Sequence, residues 1–164
     1  PEKRDSNFSI EDYNATHNEI NNKLGNFINR TLKFKGLTNI PNGVMNEDIK
    51  NTLEKTYKDI SFYMERMEFR EVCNVIINVL DKVNKYYDEE TPWIKFKEDK
   101  DKFNDCIYTC SVACANLANY IEPIMPMTSE KIRKYLKINE ACWNYVEVEK
   151  DTLLIDIEPL FNRL

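Results

Sequence analysis

Residues 21–34 read NNKLGNFINRTLKF and predict the second half of a long helix. At about 100° per residue, positions three and four apart share a face. The apolar face, continued from the residue before the stretch, holds Ile20, Leu24, Phe27, Ile28, Thr31 and Leu32. The opposite face holds Asn22, Asn26, Asn29, Arg30 and Lys33. We therefore expect one side of this helix to pack into a core and the other to present amide and guanidinium donors.

Working outward, the apolar periodicity of the rest of the chain also indicates helices rather than strands. Ser9 and Asn46 are predicted N-caps, Gly36 a C-cap, and Thr128 the cap of a short last helix. Residues 137–164 alternate only weakly and predict an extended arm or a small hairpin. The predicted fold is all-α, a bundle of four long helices plus a short fifth. The predicted helices cover residues 10–35, 47–67, 68–87, 100–121 and about 129–136.

Length and charge set limits on function. At 164 residues the chain predicts one domain, with residues 1–9 as a linker and residues 10–164 as the helical domain. It begins with Pro1, so we expect it to be part of a longer protein. A formal net charge of −5 argues against binding long duplex nucleic acid by charge alone. An RNA contact would therefore have to be local. The chain also lacks an apolar run of the roughly 20 residues that a membrane span needs.

Cysteine and histidine do not indicate a metal or catalytic site. Cys106, Cys110 and Cys114 repeat every four residues, which places them on one helix face and predicts core packing. Zinc sites usually contain closely spaced pairs such as C-x₂-C, which are missing. An odd number of cysteines indicates a reducing compartment. His17, the sole histidine, has no nucleophile at an informative spacing. We predict no catalytic residue and no metal in this chain.

Two features are candidates for binding RNA. Asn26 and Arg30 are four residues apart and therefore neighbours on the polar helix face. Such a pair can satisfy the donors and acceptors of a splayed-out cytosine. The alternative is an ordinary solvated helix face.

The second candidate is the segment from Pro92 to Lys97. Trp93 follows a proline in a turn, away from any periodic core position, and could stack on a base. Lys95 and Lys97 follow and could contact phosphates. The alternative is a loop tryptophan that folds back onto the bundle.

Taken in order, four motifs resemble the anticodon-binding domain of methionyl-tRNA synthetases, which are class I aminoacyl-tRNA synthetases. They are NKLGNFINR at 22–30, ETPW at 90–93, EPIMPMTSEKI at 122–132 and PLF at 159–161. The resemblance covers essentially the whole chain. It implies a helix bundle that reads the CAU anticodon of tRNA(Met).

Residue by residue, the resemblance assigns Asn26 and Arg30 to the first anticodon base, and Trp93, supported by Pro92, to stacking on an anticodon base. Weaker candidates at the same surface are Asn22, Lys33, Lys95 and Lys97.

The resemblance also implies what lies elsewhere in the parent protein. The ATP- and methionine-binding motifs and the zinc-binding cysteine pairs of the family are missing from this sequence. ATP, methionine and a possible zinc ion would belong to a catalytic domain of the same polypeptide. We therefore expect no aminoacylation by this chain alone. The implied partners are the tRNA(Met) anticodon loop and that catalytic domain, in the cytoplasm, without DNA or membrane.

Two other interpretations remain open from the sequence. The chain could be the anticodon domain of a leucyl, isoleucyl, valyl or cysteinyl synthetase. It could also be a helical protein-interaction module without an RNA role. Burial of Trp93, a surface ion pair at Arg30 and a large apolar patch would favour the interaction module.

Overall fold

The computed structural model describes residue 7 and residues 9–161. Most of the predicted linker therefore lies outside the described residues, and the division at residue 9 stays a prediction. Over the described residues the fold is all-α, as predicted. The elements are α1 Ile10–Ile20, a π-helical segment Asn21–Gly25, α2 Asn26–Leu32, α3 Glu47–Met64, α4 Phe69–Glu90, α5 Pro92–Glu98, α6 Lys100–Ile121 and α7 Pro126–Tyr135.

The first predicted long helix is present, with a π-helical turn in its middle. The backbone stays right-handed helical through Ile20, Gly25 and Asn26, so α1, the π-helical segment and α2 are continuous. A methyl group on Gly25 would lie 2.6 Å from Asn21 Oδ1 and 3.2 Å from Phe161. The glycine therefore leaves room for side chains at this widened turn.

The apolar face of this helix is buried as predicted. Leu24, Phe27, Ile28, Thr31 and Leu32 are at most 3% exposed. They pack against α6, the central helix, where nearly every residue from Cys106 to Ile121 is buried. Since α6 also contacts α3, α4, α5 and α7, it forms the axis on which the other helices are arranged.

The cysteines at four-residue spacing lie in this core, as predicted. Cys106, Cys110 and Cys114 are all 0% exposed, and burial raises the pKa of the Cys110 and Cys114 thiols. Cys73, by contrast, is exposed on α4. Within the described residues, no cluster of three or more potential metal ligands occurs.

Helix boundaries agree with the sequence in part. Ser9 and Asn46 act as N-caps, accepting hydrogen bonds from the amides of Asp12 and Ile49. The prediction for Gly36 was wrong because the helix already ends at Leu32, with Lys33 as its C-cap. The prediction for Thr128 was also wrong, because α7 begins with Pro126, whose fixed φ suits the first helical position.

Two long helices are shifted from the predicted bounds. We predicted helices over 47–67 and 68–87, whereas α3 ends at Met64 and α4 begins at Phe69. Met67 has a φ of 56°, which interrupts the helix between them. At its other end, α4 continues to Glu90 and carries Asp88 into the candidate site.

The predicted form of the C-terminal tail, an extended arm or a small hairpin, is not confirmed. In the described part of the tail, the backbone forms a single antiparallel bridge with the loop before α3, between Asn39 and Leu153. The amide of Ile40 donates to the carbonyl of Thr152 at 2.9 Å, and the amide of Leu154 donates to Thr38 at 3.0 Å. The tail is therefore held by another part of the chain rather than by pairing with itself.

Candidate nucleic-acid interface

Arg30 lies in the last turn of α2 and reaches across to the C-terminal end of α4. Its Nη1 donates to Asp88 Oδ1 at 2.8 Å. Its Nη2 donates to the side-chain and backbone oxygens of Asn84, at 2.9 and 3.1 Å. The guanidinium is therefore already engaged by protein groups, although the side chain stays 31% exposed. This ion pair is one of the features expected of an interaction module.

Trp93 lies just beyond the same end of α4. Thr91 adopts a left-handed conformation, with φ 44° and ψ 55°, and this residue separates α4 from α5. Pro92 occupies the first position of α5 and is buried. The predicted turn is thus wrong at Trp93, which belongs to a short helix that the sequence reasoning missed. The indole is 49% exposed, contrary to the burial that the interaction-module interpretation requires.

Tyr87 joins the two candidate residues. The Arg30 Cζ lies 4.2 Å from the centroid of its ring. The Trp93 indole is a tilted neighbour of the same ring, with centroids 6.2 Å apart and planes inclined by 40°. Asn26, one turn before Arg30, is exposed. The structure therefore places Arg30 and Trp93, both partly exposed, next to the buried ring of Tyr87.

The weaker candidates differ in how available their side chains are. Asn22, Lys33 and Lys97 are exposed and can meet a ligand without rearrangement. Lys95 forms an ion pair with Glu90, which leaves it less available for a phosphate. A further ion pair joins Lys23 to Asp81 at 2.9 Å, one helix turn from Asn84. Asp81, Asp88 and Glu90 of α4 are thus each paired with a lysine or an arginine.

Sequence reasoning missed Asn84, Tyr87 and Asp88 as parts of this site. Tyr87 was included in the apolar stripe of α4, and its burial to 3% exposure agrees with that placement. What the pattern could not give is the alignment of α2 with α4, which places residue 30 beside residues 84, 87 and 88. A fixed offset of 58 in the pairs Lys23–Asp81 and Arg30–Asp88 records that parallel alignment.

The second tryptophan lies at a different surface. Trp143 is 39% exposed, and its Nε1 donates to Ser61 Oγ of α3 at 2.7 Å. Its ring meets Tyr57 edge-on, with centroids 5.4 Å apart.

Among the described helices, none is long and apolar enough to cross a membrane.

Comparison with known proteins identifies the domain type. The family model described as the anticodon-binding domain of methionyl tRNA ligase matches residues 39–157. This range includes Pro92 and Trp93, whereas Asn26 and Arg30 precede it. Methionine–tRNA ligase 1 of Alkaliphilus oremlandii is 35% identical over the whole chain, and methionine–tRNA ligase of Bacillus cereus (strain 03BB102) is also 35% identical. The chain spans 31% of the length of each relative.

Solved structures show the same fold. The apo form of Mycobacterium tuberculosis methionyl-tRNA synthetase superposes with a TM-score of 0.79 at 23% identity, over 98% of this chain and 36% of that one. The same enzyme bound by methionyl-adenylate gives a TM-score of 0.79 at 22% identity, over 94% of this chain and 34% of that one. With the family model matching most of its length, the chain belongs to the family of anticodon-binding domains of methionyl-tRNA ligases.

Proposed function

We propose that the chain recognises the CAU anticodon of tRNA(Met) as the C-terminal domain of a methionine–tRNA ligase. The relatives are named for that activity, and this chain corresponds to less than a third of their length. The parent reaction would be the ATP-dependent esterification of methionine onto tRNA in the cytoplasm. This domain would hold the anticodon so that the acceptor end reaches a separate catalytic domain of the same polypeptide. ATP, methionine and any zinc would bind to that catalytic domain.

The observation that carries the proposal is the meeting of Arg30 and Trp93 around Tyr87. A half-exposed indole and a partly exposed guanidinium, both neighbours of the Tyr87 ring, offer a stacking surface and a hydrogen-bond donor to an unpaired base. The exposed Asn26 amide, one helical turn away, can both donate to and accept from a pyrimidine edge. Cytosine offers the acceptors N3 and O2 and the donor N4, which these groups match.

Discrimination would follow from unpaired polar groups. Uracil replaces the N4 donor of cytosine with an acceptor and the N3 acceptor with a donor. If the amide and guanidinium are arranged for cytosine, a uracil leaves buried polar groups without partners, and such mismatches are strongly rejected. We therefore expect the domain to prefer a stem-loop with cytosine at the first anticodon position.

The test measures binding of anticodon stem-loops that carry cytosine or uracil at that position. Trp93→Ala should weaken binding of the cytosine loop by about fivefold or more, because stacking on an aromatic side chain contributes about 1–3 kcal/mol per base. Trp143→Ala is the matched control, since it removes an indole of similar exposure from another surface, and it should leave the affinity unchanged. Equal affinity for the two loops, or equal affinity of wild type and Trp93→Ala, would contradict the proposal.

The same assay addresses the competing synthetase assignments. Stem-loops with the anticodons of leucine, isoleucine, valine or cysteine tRNAs should bind less tightly than the CAU loop. Preference for one of them would redirect the proposal to that tRNA.

A further inference from the structure

We propose that Tyr87 is the positioning residue of this interface, which holds Arg30 and Trp93 in the relative arrangement that reads the base. The inference rests on the anticodon function proposed above and goes beyond it. It assigns a role to a residue that does not itself need to touch RNA, since Tyr87 is only 3% exposed.

Tyr87 fixes the backbone of Arg30. Because α2 ends at Leu32, the carbonyl of Arg30 is among the last four of the helix, which have no partner within it. The Tyr87 hydroxyl donates to this carbonyl at 2.9 Å. Burial raises the pKa of Tyr87, so the phenol keeps the proton it donates. The end of α2 is therefore fastened to α4 at the residue that carries the guanidinium.

The Tyr87 ring also orients the Arg30 side chain. The guanidinium carbon lies 4.2 Å from the ring centroid, a distance at which the negative face of an aromatic ring attracts a cation. Asn84, one turn before Tyr87 on α4, and Asp88, the residue directly after it, accept the Nη2 and Nη1 hydrogens. Three residues of α4 thus hold one guanidinium, and the ring of one of them, Tyr87, also neighbours the Trp93 indole.

The contact with Trp93 sets the direction of the stacking surface. The indole sits 6.2 Å from the Tyr87 ring, close to the separations at which aromatic pairs stabilise each other. Since α5 starts directly after the left-handed Thr91, Tyr87 meets the first residues of α5 from inside the bundle. Removing its ring should therefore loosen Arg30 and Trp93 together.

The experiment compares Tyr87→Phe with Tyr87→Met in the full 164-residue chain, using the cytosine and uracil stem-loops. Methionine fills similar apolar space without a π face, whereas phenylalanine keeps the ring and loses only the hydroxyl. We expect Tyr87→Met to weaken binding of the cytosine loop by about tenfold and to reduce the preference for cytosine over uracil. Tyr87→Phe should retain most of that preference, because the ring contacts remain. Circular dichroism checks that both variants are folded.

A second measurement needs neither RNA nor the Tyr87→Met variant. The Tyr87 hydroxyl donates to the carbonyl of Arg30 at 2.9 Å, so Tyr87→Phe removes the bond that fastens the end of α2 to α4. We expect amide hydrogen exchange at the end of α2 to be faster in Tyr87→Phe than in wild type, while acrylamide quenching of Trp93, measured in a Trp143→Phe background, stays unchanged because the ring remains. Unchanged exchange at the end of α2 would overturn the inference even where Tyr87→Met fails to fold.

The outcomes separate this inference from the proposed function. Suppose that wild type prefers the cytosine loop and that a folded Tyr87→Met variant keeps the same affinity for that loop and the same preference over uracil. Tyr87 then does not position Arg30 and Trp93. If wild type itself shows no preference, the anticodon proposal fails first.

Discussion

At the scale of single residues, Arg30 is occupied before any ligand arrives. Its Nη2 is bonded to Asn84 and its Nη1 to Asp88, while its Nε is buried without a partner among the described atoms. A base or phosphate that contacts this guanidinium must therefore use the remaining Nη1 hydrogen or exchange with Asp88. The carboxylate both steadies Arg30 and competes with an anionic ligand for it.

Asp88→Asn tests this competition. The amide can still accept from Nη1, but it removes a negative charge from a surface that would face phosphates. We expect the cytosine and uracil loops both to bind about two- to fivefold more tightly at low salt, with the gain reduced at high salt. Glu89→Gln, which removes a neighbouring exposed carboxylate that lies 3.6 Å from Lys85 Nζ, is the control and should have a smaller effect. Weaker binding by Asp88→Asn would show that the carboxylate mainly steadies Arg30.

The sequence is sufficient to select candidate residues for this site, but it does not predict which other residues they contact. The helical spacing placed Asn26 and Arg30 on one face, and the irregular position of Trp93 set it apart from the core. The pattern did not reveal that Arg30 forms an ion pair with Asp88, or that Tyr87 neighbours both Arg30 and Trp93. Both features depend on how α2 aligns with α4 in space. Such registers arise from tertiary packing, which local periodicity does not encode.

At the scale of elements, the short helix α5 is the main feature that the sequence reasoning missed. The segment from Asp88 to Trp93 was interpreted as one break because acidic residues and a proline cluster there. In the structure α4 continues to Glu90, a single left-handed residue, Thr91, interrupts the helix, and Pro92 starts the next one. A proline that follows one helix can equally begin another, and only packing of α5 against α6 decides between them.

The junction of α6 and α7 gives a prediction at this scale. Arg133, 8% exposed, forms an ion pair with Glu122 and donates to Ser129 Oγ. The hydrogen bond from Arg133, with a smaller contribution from Ser129, holds the pKa of Glu122 below its ordinary value of 4.5. A carboxyl with a lowered pKa in the folded state stabilises the fold above the unfolded pKa. That stability is lost as the pH falls below 4.5 through the folded-state value.

Glu122→Gln should therefore lower the free energy of unfolding by about 1 kcal/mol at pH 7. The difference from wild type should shrink as the pH falls below 4.5. Thermal unfolding of both proteins across this range measures it. Glu130→Gln, which removes a largely exposed carboxylate paired with Lys134, is the matched control and should change the melting temperature less at pH 7. A constant difference at every pH would contradict the assignment.

At the scale of the whole molecule, different helices form the core and the candidate site. The central helix α6 supplies the core, while the ends of α2 and α4 and the start of α5 supply the candidate site. The all-α class and the position of α6 were predictable because a 22-residue helix with apolar side chains on every face must be buried. The path of the tail was not predictable, since it contacts residues distant in sequence, such as Asn39 and Asn116.

The last prediction concerns the residue that joins the tail to this core. Asn116 is 0% exposed on α6. It donates to the carbonyl of Val146 at 2.8 Å and accepts from the amide of Val146 at 3.1 Å and from the Tyr57 hydroxyl at 2.8 Å. Asn116→Ala leaves several buried polar groups unpaired, so we expect it to lower the free energy of unfolding by about 2–4 kcal/mol. Amide hydrogen exchange should accelerate around residues 142–148.

Ser111→Ala controls for removing a buried polar group from the same helix, because the Ser111 hydroxyl donates only to the carbonyl of Ile107, one turn earlier. It should cost less than Asn116→Ala and leave exchange in the tail unchanged. Denaturant unfolding gives the free energies, and exchange mass spectrometry gives the location. If Asn116→Ala is destabilised without faster exchange in the tail, then the other tail contacts, such as the bond from Lys131 Nζ to the carbonyl of Pro159 at 2.8 Å, are enough to hold it in place.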